Sequence, residues 1–226
     1  MPDFFAAPVN GAYHLVSWIA SSIQPLTGPY AAALAIVLCT IAVRLLLLPL
    51  GVAAARGAKA RVELMPKISE ITKKHRDNPE KAQREIASLQ AETGTTMFAG
   101  CLPMLAQLPF FWVLYSLFST AIVAGEPNGL LSGVLFGAPL GVHWPLVAAT
   151  PAYVGLAVLL AVVAFFSARW QARQPNQPAT NTAMGRVIRL LPYGTLATAA
   201  FIPLAAGLYL LTTTTWTVIE RAILTR

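Results

Sequence analysis

The sequence predicts an all-α, polytopic membrane protein with a five-transmembrane-helix core and a cytoplasmic helical hairpin. Three observations carry that expectation. The 226 residues are 56% hydrophobic and 11% charged, with mean hydropathy +0.62, whereas an ordinary soluble domain is about 25% charged. Apolar runs of bilayer length recur along the chain. Fifteen of the charged side chains crowd between Arg56 and Glu92, so the polar part reads as one arm. Seventeen Pro and 15 Gly predict kinked helices around a cavity, because in a membrane neighbouring helices or water recover the freed backbone groups.

The elements follow in order. Residues 1–29 carry no Lys or Arg, so the charged start of a cleavable signal is missing and this segment is expected to be retained and exported. Within it, Val9, Tyr13, Val16, Ile19 or Ala20 and Ile23 recur at helical spacing, with Asn10, Ser17, Ser21 and Gln24 between them. An amphipathic helix on the outer leaflet is expected. Residues 30–50 form the first span, apolar except for Thr40 and Arg44, and its length of roughly 31 Å as a helix matches the hydrocarbon core. Residues 51–96 form the hairpin. Val62, Met65, Ile68 and Ile71 give one narrow apolar stripe and Ala82, Ile86 and Leu89 another, on either side of Asp77, Asn78 and Pro79. Asn78 is suited to cap the second helix and Pro79 to begin it. As a solvated spacer or as a docking arm, the hairpin reads equally well.

Residues 97–123 are the second span, kinked at Pro103 and Pro109 and carrying Gln107 inside. Residues 124–145 form an exported loop; its apolar part, Leu130 to Val142, is broken by Gly133, Gly137, Pro139 and Gly141 and is expected to lie at the membrane surface, anchored by Trp144. Residues 146–168 are the third span, closed by Arg169 and Trp170. Residues 169–189 are a loop, and 190–203 and 204–219 are a fourth and a fifth span, both short, reversing at Pro203. Two short helices would thin the bilayer locally. Residues 220–226 are a tail.

Basic residues set the orientation. Nine lie between Arg56 and Arg84, none between Glu85 and Ala168, and Arg169, Arg173, Arg186, Arg189, Arg221 and Arg226 follow. The arm, the 169–189 loop and the C-terminus are therefore expected in the cytoplasm and the N-terminus outside. The net charge of +7 is explained by the same rule better than by nucleic acid, for which there is no base-reading motif.

Chemistry in the spans is sparse. Cys39 and Cys101 lie in apolar segments, and His14, His75 and His143 lie in three different ones, so neither a disulfide nor a metal site is expected. No catalytic pair such as His/Asp or Ser/His lies within the spans; the chain is not expected to be an enzyme or to hold a cofactor. Arg44 stands out, because a charge at the centre of a bilayer costs several kcal/mol, about 2.5 to 3.5 on insertion scales. Either it snorkels outward past Gly51, or it faces water. In the second case Thr40, Gln107, Tyr209 and the run Thr212 to Thr215, with Thr212 and Thr215 foremost, would line a polar groove with it. Ordinary interhelical hydrogen bonding is the plainer use of such residues.

Four segments now resemble one family. They are TIAVRLLLLPL at 40–50, MPKISEITKKH at 65–75, GCLPMLAQLPFFWVLYSLF at 100–118, and LLPYG with AAGLYLL between 190 and 211. Together they resemble the YidC/Oxa1/Alb3 membrane protein insertases, over about residues 9 to 219. The resemblance implies a five-helix core, a cytoplasmic hairpin, and a groove closed toward the outside with Arg44 in its wall. It implies a membrane protein insertase and folding factor of a bacterial plasma membrane, whose groove accepts hydrophilic parts of nascent membrane proteins while hydrophobic segments leave into lipid. Membrane lipids are implied as partners too, and a Sec-type translocon and the ribosome are further candidates. The last spans depart from the pattern in being rich in Ala and Thr, and the basic tail after the last span is short. A small polytopic transporter or channel is the alternative, although neither inverted repeats nor intramembrane acids are evident.

Overall fold

Helix is the dominant state of the described residues, which are 3–93, 108–123, 125–143, 150–172 and 193–224 of this computed structural model. The helices are α1 (Asp3–Thr27), α2 (Ala31–Leu46), α3 (Leu48–Lys74), α4 (Pro79–Thr93), α5 (Leu108–Ser119), α6 (Pro151–Ala172), α7 (Gly194–Ala199) and α8 (Leu204–Leu224). Between α5 and α6 lie two small antiparallel hairpins, β1 (Ile122–Val123) with β2 (Glu126–Pro127), and β3 (Val134–Leu135) with β4 (Ala138–Pro139). The chain divides into two units, residues 1–46 with 109–219, and residues 47–108 with 220–226.

In the larger unit, α1 stops at Gly28, whose φ of +56° is a conformation that costs glycine little. One 3-10 turn, Gly28–Tyr30, then leads into α2. The buried face of α2 carries Ala33, Ile36, Cys39 and Thr40, and its other face shows Leu34, Leu38 and Leu45 to the surroundings. The same holds for α6. It buries Tyr153, Leu156 and Leu160 while Val154, Val158, Leu159, Val162, Phe165 and Phe166 are each about half exposed. A water-soluble helix would carry polar residues there; a helix apolar all round belongs in a bilayer or a large core. Two stretches, Ala7–Leu46 and Pro151–Trp170, are long and apolar enough to cross a membrane.

The core joins α1, α2, α5, α6 and α8 through Val16, Ile36, Leu117, Phe118, Leu160, Leu204 and Tyr209, all buried. Gly207 lets α8 approach α6 closely: a Cβ there would fall 2.6 Å from Leu156 Cδ2. The segment between α5 and α6 does more than lie on a surface, because Leu130, Ala138 and Leu140 are buried in that core. Its backbone also completes α8. Leu204 N–H donates to the Val142 carbonyl (3.3 Å) and Ala205 N–H to the Leu140 carbonyl (2.8 Å), satisfying two of the amides that a helix start leaves open.

The smaller unit has little interior. Leu64 and Ala82 are buried and most of α3 and α4 is exposed. Asn78 Oδ1 accepts from Lys81 N–H (3.1 Å), capping α4 as Pro79 begins it. Lys74 and His75 at the end of α3 both bond Glu85 of α4, at 3.3 and 2.6 Å. The His75 and Lys74 hydrogen bonds hold the Glu85 carboxyl below its usual 4.5. Near the chain end, the Glu220 carboxylate lies directly over Gly51, where a Cβ would clash with it.

Several boundaries differ from the sequence expectation. The helix expected over 30–50 breaks at Leu47, because Pro49 in the next turn lacks the N–H that would continue the ladder. The last helix continues to Leu224; at 1.5 Å per residue it is roughly 31 Å long, so it is not the short helix expected over 204–219. The helix expected over 146–168 runs from Pro151 to Ala172, so Arg169 and Trp170 sit in its last turns. Pro203, where a reversal is expected, lies in the non-helical residues between α7 and α8. Pro103, Cys101, Trp144, Arg173, Arg186 and Arg189 lie outside the described residues.

Candidate functional site

Arg44 occupies the last turn of α2, an otherwise apolar helix, and its side chain is half-buried. Its Nε–H donates to Thr213 Oγ1 at 2.8 Å, and Nη2 donates to the same hydroxyl and to the Thr213 carbonyl (3.3 Å). Hydrogen bonds to a charged group are worth about 1.5–3 kcal/mol, roughly twice a neutral one. Thr213 is a neutral acceptor, so it solvates the guanidinium without cancelling its charge. The pairing ties α2 to α8.

Helical geometry explains why Thr213 and not its neighbours takes this place. On α8, Tyr209 and Thr213 are one turn apart and share a face, and both are buried. The phenol of Tyr209 lies within reach of the Thr213 hydroxyl and of the Arg44 charge. Its ring packs against Phe111 and Phe118 of α5, each with ring centroids 5.9 Å away. The surrounding threonines turn inward on their own helix. Thr212 donates to the Leu208 carbonyl (2.8 Å), Thr214 to Leu210 (2.7 Å) and Thr217 to Thr213 (2.9 Å). This back-bonding to the preceding turn lets Thr reside in an apolar helix.

The six residues that the sequence singled out therefore separate. Arg44 and Tyr209 come together. Thr40 does not join them: its hydroxyl donates to the Ile36 carbonyl one turn back (2.7 Å) and the residue is 1% exposed, so it is a packed core group. Thr212 is occupied within α8, and Thr215 is rotated about 200° from Thr213 around the helix. Gln107 lies outside the described residues. Thr213, missed as an individual residue, was detectable as the threonine four positions after Tyr209. His75 belongs to the exposed Glu85 pair, and no group of His, Cys, Asp and Glu among the described residues has a metal-binding arrangement.

A second polar residue, Asn128, is buried in the core of the larger unit. Its Nδ2 donates to the carbonyls of Leu117 (2.7 Å) and Thr120 (3.0 Å) at the end of α5, and its Oδ1 accepts from Leu130 N–H (3.1 Å). It fixes the segment whose later carbonyls receive the first amides of α8. No sequence signal distinguished it from an ordinary loop asparagine.

Comparison with known proteins shows the family. The profile of the family described as 60Kd inner membrane protein matches residues 22–226. A membrane protein insertase YidC of Mycolicibacterium paratuberculosis is 29% identical over 263 aligned positions, which cover 95% of this chain and 74% of that one. The ALBINO3-like protein 1, chloroplastic, of Arabidopsis thaliana is 30% identical, over 93% of this chain and 46% of its own. A YidC of Clostridium perfringens is 42% identical over 84 residues, 37% of this chain and 35% of its own. The matched region thus spans from about a third to about three quarters of these relatives' lengths. The family match over nearly the whole chain, together with helices apolar on every face, makes this a membrane protein that belongs to the 60Kd inner membrane protein family, the YidC/Oxa1/Alb3 group its sequence resembles.

Proposed function

We propose that this chain is a membrane protein insertase and folding factor. The observation that carries the proposal is Arg44, a cation in the last turn of an apolar helix, held by neutral oxygens of a second helix. Its relatives' names, membrane protein insertase YidC, support the same reading. A guanidinium held in this way attracts an acidic segment, in surroundings where charges interact more strongly than in water. The site asks for no proton transfer and no covalent chemistry.

In this reading α2, the 97–123 segment, α6 and the two helices around Pro203 form a five-span core. The N-terminus is outside and the C-terminus cytoplasmic, following the distribution of Lys and Arg. The α3–α4 hairpin then lies in the cytoplasm and receives the nascent chain. The polar part of the substrate passes beside Arg44, Thr213 and Tyr209, with Gln107 as a further groove residue, and its hydrophobic part leaves into lipid. Nascent membrane proteins and lipids are the partners, with a Sec-type channel and the ribosome as further ones. A bacterial plasma membrane is the proposed location.

The test is insertion of a single-span substrate with an acidic exported tail into liposomes that hold this protein alone. Wild type is expected to insert it, and Arg44→Ala to lose that substrate more than one with a neutral tail. Equal insertion of both substrates by the variant would remove Arg44 from the mechanism. No insertion by wild type would remove the function.

A further inference from the structure

The turn between β3 and β4 consists of Phe136 and Gly137, with φ of +47° and +83°. A two-residue hairpin turn with both central residues at positive φ favours Asn-Gly or Gly-Gly. A bulky aromatic residue in that conformation is a rare and costly choice. The ring that incurs this cost is not tucked away, since Phe136 is 64% exposed. Its neighbour is Tyr30, ring centroids 5.9 Å apart and tilted by 52°, and Tyr30 is itself 41% exposed.

The tip is presented firmly. At the base of the hairpin Leu140 N–H donates to the Gly133 carbonyl (2.8 Å), and Gly133 approaches the start of α2 so closely that a Cβ would fall 2.6 Å from that of Ala32. Tyr30 is the residue directly before α2 and lies within the longer apolar stretch Ala7–Leu46. Phe136 therefore stands beside the N-terminal end of α2, which is headgroup level when α2 spans the membrane. Aromatic rings concentrate at that depth, where the headgroups meet the acyl chains. Between Ala121 and Val142 the sole charged residue is Glu126, so the surface offers lipid an apolar tip and offers a protein partner almost no charge to read.

We propose that Phe136 and Tyr30 form an aromatic anchor that inserts the β3–β4 turn into the headgroup–acyl boundary at this end of α2. The inference rests on α2 being a membrane-spanning helix. Lipid contact supplies the apolar burial that offsets the unfavourable backbone of Phe136 and holds the turn, with the α8 amides bonded just beyond it, at a fixed depth.

A photoreactive benzophenone amino acid in place of Phe136 tests this in the full chain in native membranes, with mass analysis of the products. A phospholipid adduct is the expected result; a protein adduct, or none, overturns the anchor. The same probe in place of Val158, on the exposed face of α6, separates the causes of failure. Lipid adducts at Val158 without any at Phe136 overturn the anchor alone, and absence at both positions overturns the membrane-spanning reading with it. Should the bulky probe disturb the turn, Phe136→Cys carrying a small fluorophore, with Cys39 and Cys101 replaced by alanine, gives a second readout. Nitroxide lipids are expected to quench it, most strongly when the nitroxide sits near the headgroup; no quenching overturns the proposal.

Discussion

Two cation–oxygen contacts in this molecule look alike on paper and differ in what surrounds them. Lys74 and His75 meet the carboxylate of Glu85 on the exposed arm. Arg44 meets a hydroxyl and a carbonyl of Thr213, and does so half-buried in an apolar bundle. In water the opposite charges of the arm are screened, and exposed pairs of this kind typically contribute little. In the bundle the weaker partner matters more, because a buried donor deprived of its acceptor bears the full desolvation penalty. The medium, more than the formal charges, ranks the two contacts.

The sharpest way to break that ranking is Arg44→Ala. Insertion of an acidic-tailed substrate is expected to fall about tenfold or more, the equivalent of the 1.5–3 kcal/mol of a charged hydrogen bond, while the fold persists; liposome insertion assays measure it. Thr213→Val keeps the shape of the side chain and removes the acceptor. Roughly 1.5 kcal/mol of the Arg44 contact is expected to go with it, giving about a tenfold loss on the same substrate, and Thr213→Ser is expected to restore it. A Thr213→Val protein as active as wild type would mean that Arg44 finds its oxygen elsewhere.

Asn128→Ala tests whether buried polar groups of the bundle matter when no charge is involved. It leaves the Leu117 and Thr120 carbonyls and the Leu130 amide without their partner, so about 1–3 kcal/mol of stability should be lost, visible as a lower melting temperature in detergent. The smallest effect is expected at the arm. Glu85→Gln should leave both melting and insertion near wild type. The sign of its pH dependence is fixed: the Glu85 carboxyl is lowered below 4.5 by His75 and then Lys74, so its small stabilising contribution is present above that value and fades as pH drops through the lowered one. A melting temperature unchanged from neutral pH down to the carboxylate range would agree; a steep fall above pH 5 would point to a different group.

What could be read beforehand varied with the kind of evidence each element offers. The start of α4 was legible because Asn78 and Pro79 act locally, through one side-chain bond and one fixed φ. The membrane character was legible because apolar composition is a sum over many residues, insensitive to where any one of them points. The break at Leu47 and the length of α8 were not, since a hydropathy run carries no mark of where the hydrogen-bond ladder stops. The packed segment between α5 and α6 escaped too: its glycines and proline announce turns, but turns alone do not tell whether Leu130 and Leu140 meet a core.

By itself the sequence determined that this chain is a mostly helical membrane protein of a recognisable family and that Arg44 is its unusual charge. Only the tertiary structure decided which oxygens receive that charge. Thr40, Thr212, Thr213 and Thr215 are chemically equivalent in sequence, and each can satisfy its hydroxyl on its own helix. Choosing Thr213 required the rotation of α8 against α2, which is set by packing at Gly207 and by the carbonyls of Leu140 and Val142 at the start of the helix. Those contacts join residues far apart along the chain, where no local pattern records them.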